Sequence, residues 1–577
     1  MLSKVLKKKR LQDAYYTLEG LAVEGYAILT GLWGVLNSGM VVRTGGLKMK
    51  KELVVTVLRY GFTAARQVRY AAEAAPNKVA IIDDLGQVTY KEMRDDVMAL
   101  SRSLCQQGYG KGTNIAVMLR NSRVPIYMLG AKGFIGANIF LFNVAASSSQ
   151  LVKSIEEYGI DLLVLDEEFV ELLPSDFDYC NVMIGHADDL SNPRTDHRDW
   201  LTFQQLIERA PGSGEQKLPI RPKEGPITIM SSGTSGTPKG VVHREPIAPT
   251  PVADIAKRIP WRSEIIIQQS ASIFHSWGWA NINIAMAHRA TVILRRHFNP
   301  EQAMDDLAEF RPEGIVTSPI FIKEQLRVAL DRDSDVSSVK FVVSSGNALH
   351  ADLASSLIAK FGPIVSNLYG STENSVCTIA TADDVANRPE TVGKPLRCVR
   401  MRVLDDQGRV LPPNVPGKIH CRGAMSMRRY ALERDREKMV VRRGLMEIGD
   451  RGFIDDRGNL VVLGRIDDMI IVGGENVYPR SVEEALHSMP GIRDLFVQGV
   501  EDEETFARLA VWVVKDDTEA GRELTKESVQ QWVRNELAEH SVPRDVIFME
   551  SLPRNPTGKV MPRKLPMPAG TKKSATV

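Results

Sequence analysis

Cysteine is scarce and unpatterned in this chain. Cys105, Cys180, Cys377, Cys398 and Cys421 are odd in number, scattered, and never at the two-residue spacing of a zinc or redox motif. That pattern excludes a cysteine-ligated metal centre and leaves core thiols in a reducing cytoplasm. An excess of charge of either sign is also missing. The 73 basic and 71 acidic side chains nearly cancel, so no global field draws the protein onto nucleic acid or a strongly anionic surface. A disordered or fibrous composition is absent too: the chain is 43% hydrophobic and 25% charged, the balance of a soluble protein long enough for about two to four packed domains.

Long apolar runs are lacking, with one exception near the N-terminus. Residues 4–10 read KVLKKKR, and residues 25–42 run eighteen positions without a charge before Arg43, Lys48, Lys50 and Lys51. Eighteen residues reaches the length of a membrane span. Yet the run holds four glycines, Thr30, Asn37 and Ser38, and Glu19 and Glu24 sit just ahead of it. A secretory signal fits poorly, because Asp13 and the two glutamates interrupt the apolar region. Three readings stand for residues 1–60: a helix lying at a membrane surface or on a partner, packing against the body, or a span. The expected location is the cytoplasm, at the inner face of the membrane if the first of these holds.

From residue 79 onward, short β-rich runs alternate with helical patterns, the signature of α/β layers with a largely parallel sheet. VAII at 79–82, NIAVML at 114–119 and DLLVL at 161–165 are predicted strands. Thr89 stands three residues before Glu92 as a capping box, and Met93, Val97, Leu100 and Leu104 follow at helical spacing until Gly108. A second series comprises ITIM at 227–230, EIII at 264–267, TVIL at 291–294, GIVTS at 314–318 and VKFVVSS at 339–345. In it, Asn299 and Pro300 are placed as cap and first helical residue. The two series predict two doubly wound units in tandem, with the proline- and glycine-rich stretch 188–225 as the seam.

The sharpest chemical signal is SSGTSGTPKG, Ser231 to Gly240, directly after the strand ITIM. Glycines let the backbone approach a polyphosphate while amides and the hydroxyls of Ser232, Thr234, Ser235 and Thr237 donate hydrogen bonds. Lys239 adds a point charge for the outer phosphates. It is not a Walker A loop, since proline precedes the lysine and no Ser or Thr follows it. Taken by composition alone, the stretch also reads as a surface linker.

Four further motifs occur in order: FHSWGW at 274–279, YGSTE at 369–373, GD at 449–450 followed by GRIDD at 464–468 and GGEN at 473–476, and PRNPTGKV with Lys559. Together with the phosphate loop, they resemble those of the acyl-activating, adenylate-forming superfamily, which includes acyl-CoA synthetases, luciferases and adenylation domains. The resemblance covers roughly residues 75–565. It implies an α/β fold with a large N-terminal domain, 61–466, built of two doubly wound α/β subdomains and a β-rich subdomain. A small mobile α+β C-terminal domain, 467–577, would follow, swinging about a hinge at Asp467.

The resemblance also assigns roles. Ser231, Ser232, Gly233, Thr234, Ser235, Gly236, Thr237 and Lys239 would bind the ATP phosphates. Gly346, Asn347, Ala348, Tyr369, Gly370, Ser371 and Thr372 would enclose the adenylate, and Asp450 and Arg465 the ribose and phosphate. Glu373 and Thr234 would hold Mg²⁺, and Phe274, His275, Trp277 and Trp279 would line the acyl site. Gly473, Gly474 and Glu475 would face coenzyme A, and Lys559 would be catalytic. Each has its own chemistry: Glu373 is a hard oxygen donor for Mg²⁺, and the Asp450 carboxylate accepts two hydrogen bonds. A mobile cation such as Lys559 lowers the barrier where carboxylate and α-phosphate, both anionic, approach. No general base is assigned to His275, because a carboxylate is already ionised at neutral pH. As bare sequence, His275 reads as a packing residue and Lys559 as a solvated tail lysine.

Three positions depart from the family's usual residues: Leu445 and Ile448 before the aspartate, and Ser235 in the phosphate loop. None removes a catalytic group. The expectation is therefore an ATP- and Mg²⁺-dependent ligase that activates a small-molecule carboxylic acid, a medium- or long-chain fatty acid, and passes it to coenzyme A. The alternatives are an acyl-AMP ligase serving a carrier protein, a luciferase-type oxygenase, and a catalytically inactive lipid-binding protein. No nucleic-acid partner is expected.

Overall fold

A computed structural model describes residues 39–40, 46–187, 200–231, 238–243, 250–436, 439–466, 470–472, 475–502, 506–537, 539–555 and 558–568. Its large domain is built on two sheets. The eight-stranded sheet runs Arg429–Tyr430, Lys239–His243, Ile227–Ser231, Asn138–Leu141, Asn114–Met118, Leu162–Leu165, Asn181–Ile184, Leu201–Thr202. The nine-stranded sheet runs Lys394–Pro395, Ser375–Ala380, Val365–Ser371, Phe341–Ser344, Gly314–Thr317, Ile266–Gln269, Thr291–Leu294, Val79–Asp83, Gly86–Thr89. Both have parallel centres, as expected for strands buried on both faces.

The chain does not fill these sheets in tandem, which corrects the predicted seam at 188–225. Ile227–Ser231 pairs parallel with Asn138–Leu141 and so belongs with the early strands. Val79–Asp83 instead leaves them to pair with Thr291–Leu294, Ile81 opposite Val292. The predicted strand at 264–267 begins at Ile266, because Glu264 sits in a turn at φ 68°. Local signals hold where they were read: Thr89 and Glu92 form both halves of the capping box, and the Asn299 side chain accepts from Gln302 N with Pro300 at the first helical position.

A β-rich unit follows: Val399–Leu404, Gly417–Gly423, Leu445–Ile454 and Val441–Arg442, with Leu460–Arg465 beside Leu445–Ile454. The C-terminal unit packs helices Pro479–His487 and Lys526–Glu536 on the strands Ile492–Asp502, Phe506–Lys515 and Asp545–Met549, burying Val482, Leu486, Val511, Val529 and Val533. Its contacts with the large domain include the following. Lys323 Nζ donates to Arg493 O at 2.5 Å, the His350 and His487 rings lie 4.0 Å apart, and Gly558 presses on Ile320.

At the N-terminal side, the Gly46–Tyr60 helix buries Met49, Thr56 and Tyr60, the last edge-on to Phe134 at 5.2 Å. Residues 39–40 are clipped to the body, where Arg289 donates to the carbonyls of Gly39 and Met40 and Ser263 to Gly39. Packing against the body therefore holds for residues 39–40 and 46–60, while residues 1–38 and 41–45 lie outside the described residues. Among the described residues, no helix is long and apolar enough to cross a membrane.

Candidate active site

The hydroxyl- and glycine-rich loop joins two antiparallel strands, and Ser231 stands opposite Lys239 at its base. Ser232 to Thr237 lie outside the described residues, Thr234 among them. What holds the base is Tyr158: its hydroxyl donates to Pro238 O and accepts from Gly240 N, both at 2.9 Å. Burial pushes this phenol up to about 12. Lys239 Nζ lies 6.0 Å from the centre of the Tyr430 ring, and the Tyr430 hydroxyl donates to Glu373 Oε1 at 3.0 Å. A cation and a carboxylate, Lys239 and Glu373, thus meet over one tyrosine.

Glu373 ends the segment that leaves Val365–Ser371. Its carbonyl accepts from Met427 N, and the carbonyl of Thr372 accepts from the buried His243 Nε2 at 2.7 Å. Burial holds His243 below its ordinary value, against the opposing pull of the backbone of Thr372 and Met425 and of the Glu373 charge. Gly370 is required by close approach: a Cβ there would sit 1.7 Å from Ser375 O. Ser371 Oγ accepts from Asn374 N and closes the turn. Gly346, at φ 92°, with Asn347 and Ala348 forms the loop after Phe341–Ser344, and Ser345 Oγ donates to Leu368 O, tying that loop to the strand that carries Tyr369.

The Tyr369 hydroxyl donates to Asp450 Oδ2. Burial first, then the Asp450 charge, raises the Tyr369 phenol, keeping it the donor. Arg465 Nη1 lies 3.5 Å from Asp450 Oδ1, across the strand pair Asp450↔Arg465. Gly449, at φ 88°, leaves room for that guanidinium, since a Cβ would come within 3.0 Å of Arg465 Nη2.

The aromatic motif turns the chain into the Ser276–Ala287 helix, with His275 as N-cap residue. Its ring packs on Phe274 at 4.5 Å. Burial, and then the positive charge of Lys559, lowers His275 to about 4, so it is neutral throughout the physiological range. His275 Nε2 and Trp279 Nε1 are buried without a hydrogen-bond partner among the described residues, whereas Trp277 Nε1 donates to Thr317 O at 3.3 Å. Gly278 packs directly on the Ser272 carbonyl, where a Cβ would come to 2.2 Å. Asn121 clamps the same turn, donating to Ala271 O and accepting from Ile273 N.

Lys559 reaches this place from the far end of the chain. Its loop is a small hairpin: Asn555 N donates to Lys559 O and Gly558 N to Asn555 O, while Asn555 Oδ1 accepts from Lys559 N. Arg554, paired with Asp494 at 2.7 Å, donates to Gly558 O. Asn555 also roofs a cavity of 270 Å³ whose walls include Gln269, Phe274, Ile293, Phe298 and Phe321. The arginines on its polar side are engaged, Arg120 and Arg296 with Glu168 and Arg295 with Asp306.

The structure therefore brings the predicted residues together in three groups: Lys239 and Glu373 about Tyr430, Tyr369 and Arg465 about Asp450, and Phe274 with His275 near Lys559. Asp467, Gly473 and Gly474 lie outside the described residues, and Glu475 is described only as the start of the strand Glu475–Val477. Sequence reasoning missed Tyr158, Tyr430, His243 and Asn121. Nothing local marks them, because each acts on a partner far along the chain.

No group of three or more Asp, Glu, His or Cys that could hold a metal occurs among the described residues. Mg²⁺ needs only one or two carboxylates when phosphates supply the rest. Glu373, aimed by Tyr430 beside Lys239, fits that donor set.

Residues 68–431 match the AMP-binding enzyme family, and residues 481–559 match the AMP-binding enzyme C-terminal domain. The chain belongs to the AMP-binding enzymes. Its relatives include the 2-succinylbenzoate–CoA ligase of Bacillus cereus, 27% identical over 497 residues that cover 85% of this chain and 95% of that protein. The Bacillus anthracis ligase of the same name is 26% identical, covering 87% and 98%. The amide bond synthetase McbA from Marinactinospora thermotolerans superposes with a TM-score of 0.74 at 26% identity, covering 86% of this chain and 98% of that one. The anthranilate CoA ligase AuaEII, at 20% identity and a TM-score of 0.76 over 87% and 96%, shares the fold of this AMP-binding enzyme.

Proposed function

We propose that this AMP-binding enzyme is a cytoplasmic acid–thiol ligase. With ATP it converts a carboxylic acid to acyl-AMP and pyrophosphate, then transfers the acyl group to coenzyme A and releases AMP. In the first step a carboxylate oxygen attacks the α-phosphorus and the bond to pyrophosphate breaks. In the second, a thiolate attacks the acyl carbon and the acyl–phosphate bond breaks. The observation that carries this reading is the lysine hairpin, whose Asn555 accepts from Lys559 N and lines one cavity with Phe274 of the aromatic motif. A cation there bridges two anions as charge builds between them. Magnesium bound at Glu373 would neutralise charge on the departing pyrophosphate. His275, neutral and apolar-facing, is a wall of the acyl site and moves no proton. Gly473, Gly474 and Glu475 are assigned to the thiol path, reached after the C-terminal unit turns about Asp467.

For the acyl group we propose a medium- or long-chain fatty acid. Support comes from the aromatic and aliphatic walls Phe274, Ile293, Phe298 and Phe321, and from the engagement of Arg120, Arg295 and Arg296 by acids of the protein itself. A second reading, 2-succinylbenzoate, is favoured by the names of the Bacillus relatives. A panel of acids assayed for AMP formation with and without coenzyme A separates them. Turnover of fatty acids and none of 2-succinylbenzoate supports the first reading, the reverse supports the second, and AMP formation that ignores coenzyme A removes it as the acceptor.

A further inference from the structure

One face of the Gly46–Tyr60 helix has no counterpart in the chemistry above. At 100° per residue, the buried Met49, Thr56 and Tyr60 share one side. Leu47, Val54 and Leu58 fall on the opposite side, within an arc of about 40°, and are 84%, 56% and 64% exposed. A soluble surface helix normally reverses this, presenting polar residues outward. Lys50 and Lys51 flank the apolar stripe, Lys48 lies about 100° from its centre and pairs with Glu73 at 3.5 Å, and the first turn holds no acid. The helix's one acid, Glu52, is turned away and accepts from Arg69 Nε at 2.8 Å.

The charge of the surrounding segment points the same way. Residues 1–60 hold ten basic and four acidic side chains, net +6; subtracting this from +2 for the whole chain leaves −4 for residues 61–577. Positive charge is thus concentrated in the stretch of sequence that includes the stripe. Apolar side chains ringed by lysines suit the boundary between anionic headgroups and acyl chains, where the lysine stems lie along the apolar layer and the ammonium groups meet phosphate.

We propose that Leu47, Val54 and Leu58, flanked by Lys50 and Lys51, form a docking face for an anionic lipid bilayer. The face lies apart from the ligase site, and the inference stands on it alone. The face lies flat on the surface rather than crossing it, since the helix is fifteen residues long and its inner side is packed on the body.

The test is flotation of the full-length protein with protein-free vesicles of phosphatidylcholine, with and without phosphatidylglycerol. Three proteins are compared: wild type, Leu47→Glu/Val54→Glu/Leu58→Glu, and Lys50→Glu/Lys51→Glu. All five positions are exposed, so the fold is spared, and thermal unfolding checks this. The wild type is expected to float with anionic vesicles and to be released by salt, with at least ten-fold weaker partitioning for the apolar variant. The lysine variant should lose its preference for phosphatidylglycerol. Absence of wild-type binding would overturn the proposal. So would equal binding of the apolar variant, which would assign the attachment to another segment. A wild-type dimer in solution that the apolar variant abolishes would make a second copy the occupant and overturn it as well.

Discussion

Gly558→Ala should disable the adenylation step while sparing the transfer step. Gly558 has φ 82°, and a Cβ there would lie 1.9 Å from Ile320 Cγ2, about 1.6 Å short of the ~3.5 Å at which carbons meet comfortably. Two penalties follow. The left-handed backbone costs an alanine about 1–2 kcal/mol, and the overlap costs about 1–3 kcal/mol if it behaves like overpacking of a core. Together they predict at least about a thirty-fold loss of acid-dependent ATP–pyrophosphate exchange, at about 1.4 kcal/mol per decade. Ile320 belongs to the large domain, so its overlap exists only while the C-terminal unit is docked as seen here. Acyl transfer from supplied acyl-AMP to coenzyme A should therefore change by no more than a few-fold. Adding Ile320→Ala should restore the steric share of exchange and leave the backbone share lost. Equal loss of both half-reactions, or no rescue by Ile320→Ala, would refute the reasoning.

Tyr430→Phe keeps the ring beneath Lys239 but removes the donor to Glu373, a loss of about 0.5–1.5 kcal/mol. It should raise the apparent KM for MgATP about two- to ten-fold, and an unchanged value would detach Tyr430 from the phosphate site. Stability should fall with acidification through His275 and His350, which burial lowers to about 4 and about 2. Both have folded values below the unfolded one, so their contribution is present above about pH 6.5 and is lost as pH falls below it, about 1 kcal/mol each between pH 7.5 and 5.5. Asp166, raised to about 6 by burial, works in the opposite sense. The check is therefore a comparison of denaturant midpoints at the two pH values for wild type and His350→Gln, which should show the smaller drop; an equal drop contradicts it. Gly474→Trp should slow transfer to coenzyme A about a hundred-fold or more and leave exchange near normal. Intact thioester formation would remove that loop from the thiol path.

Legibility followed the range of the interactions. Thr89 with Glu92, and Asn299 with Pro300, are local devices, and a helix start is specified within four residues. The site motifs were legible for the same reason, as short runs with a residue-level resemblance to a family. Sheet membership was not. VAII at 79–82 and TVIL at 291–294 are interchangeable apolar runs, and nothing within either says that they pair across some two hundred residues. Tyr158, Asn121 and Tyr430 were missed on the same account, since their hydrogen bonds span 80, 152 and 57 positions. The neutrality of His275 follows from burial that only the fold creates.

The central claim, that Lys559 supplies the bridging charge for adenylate formation, is tested most directly by acid-dependent ATP–pyrophosphate exchange in Lys559→Ala, with ATP binding measured alongside. Lys559 is exposed and holds its turn through backbone atoms, so truncation of its side chain spares the fold. The account predicts a loss of about a hundred-fold or more in exchange, by analogy with removal of one oxyanion donor, with ATP affinity changed no more than a few-fold. Near-normal exchange in the variant would contradict it.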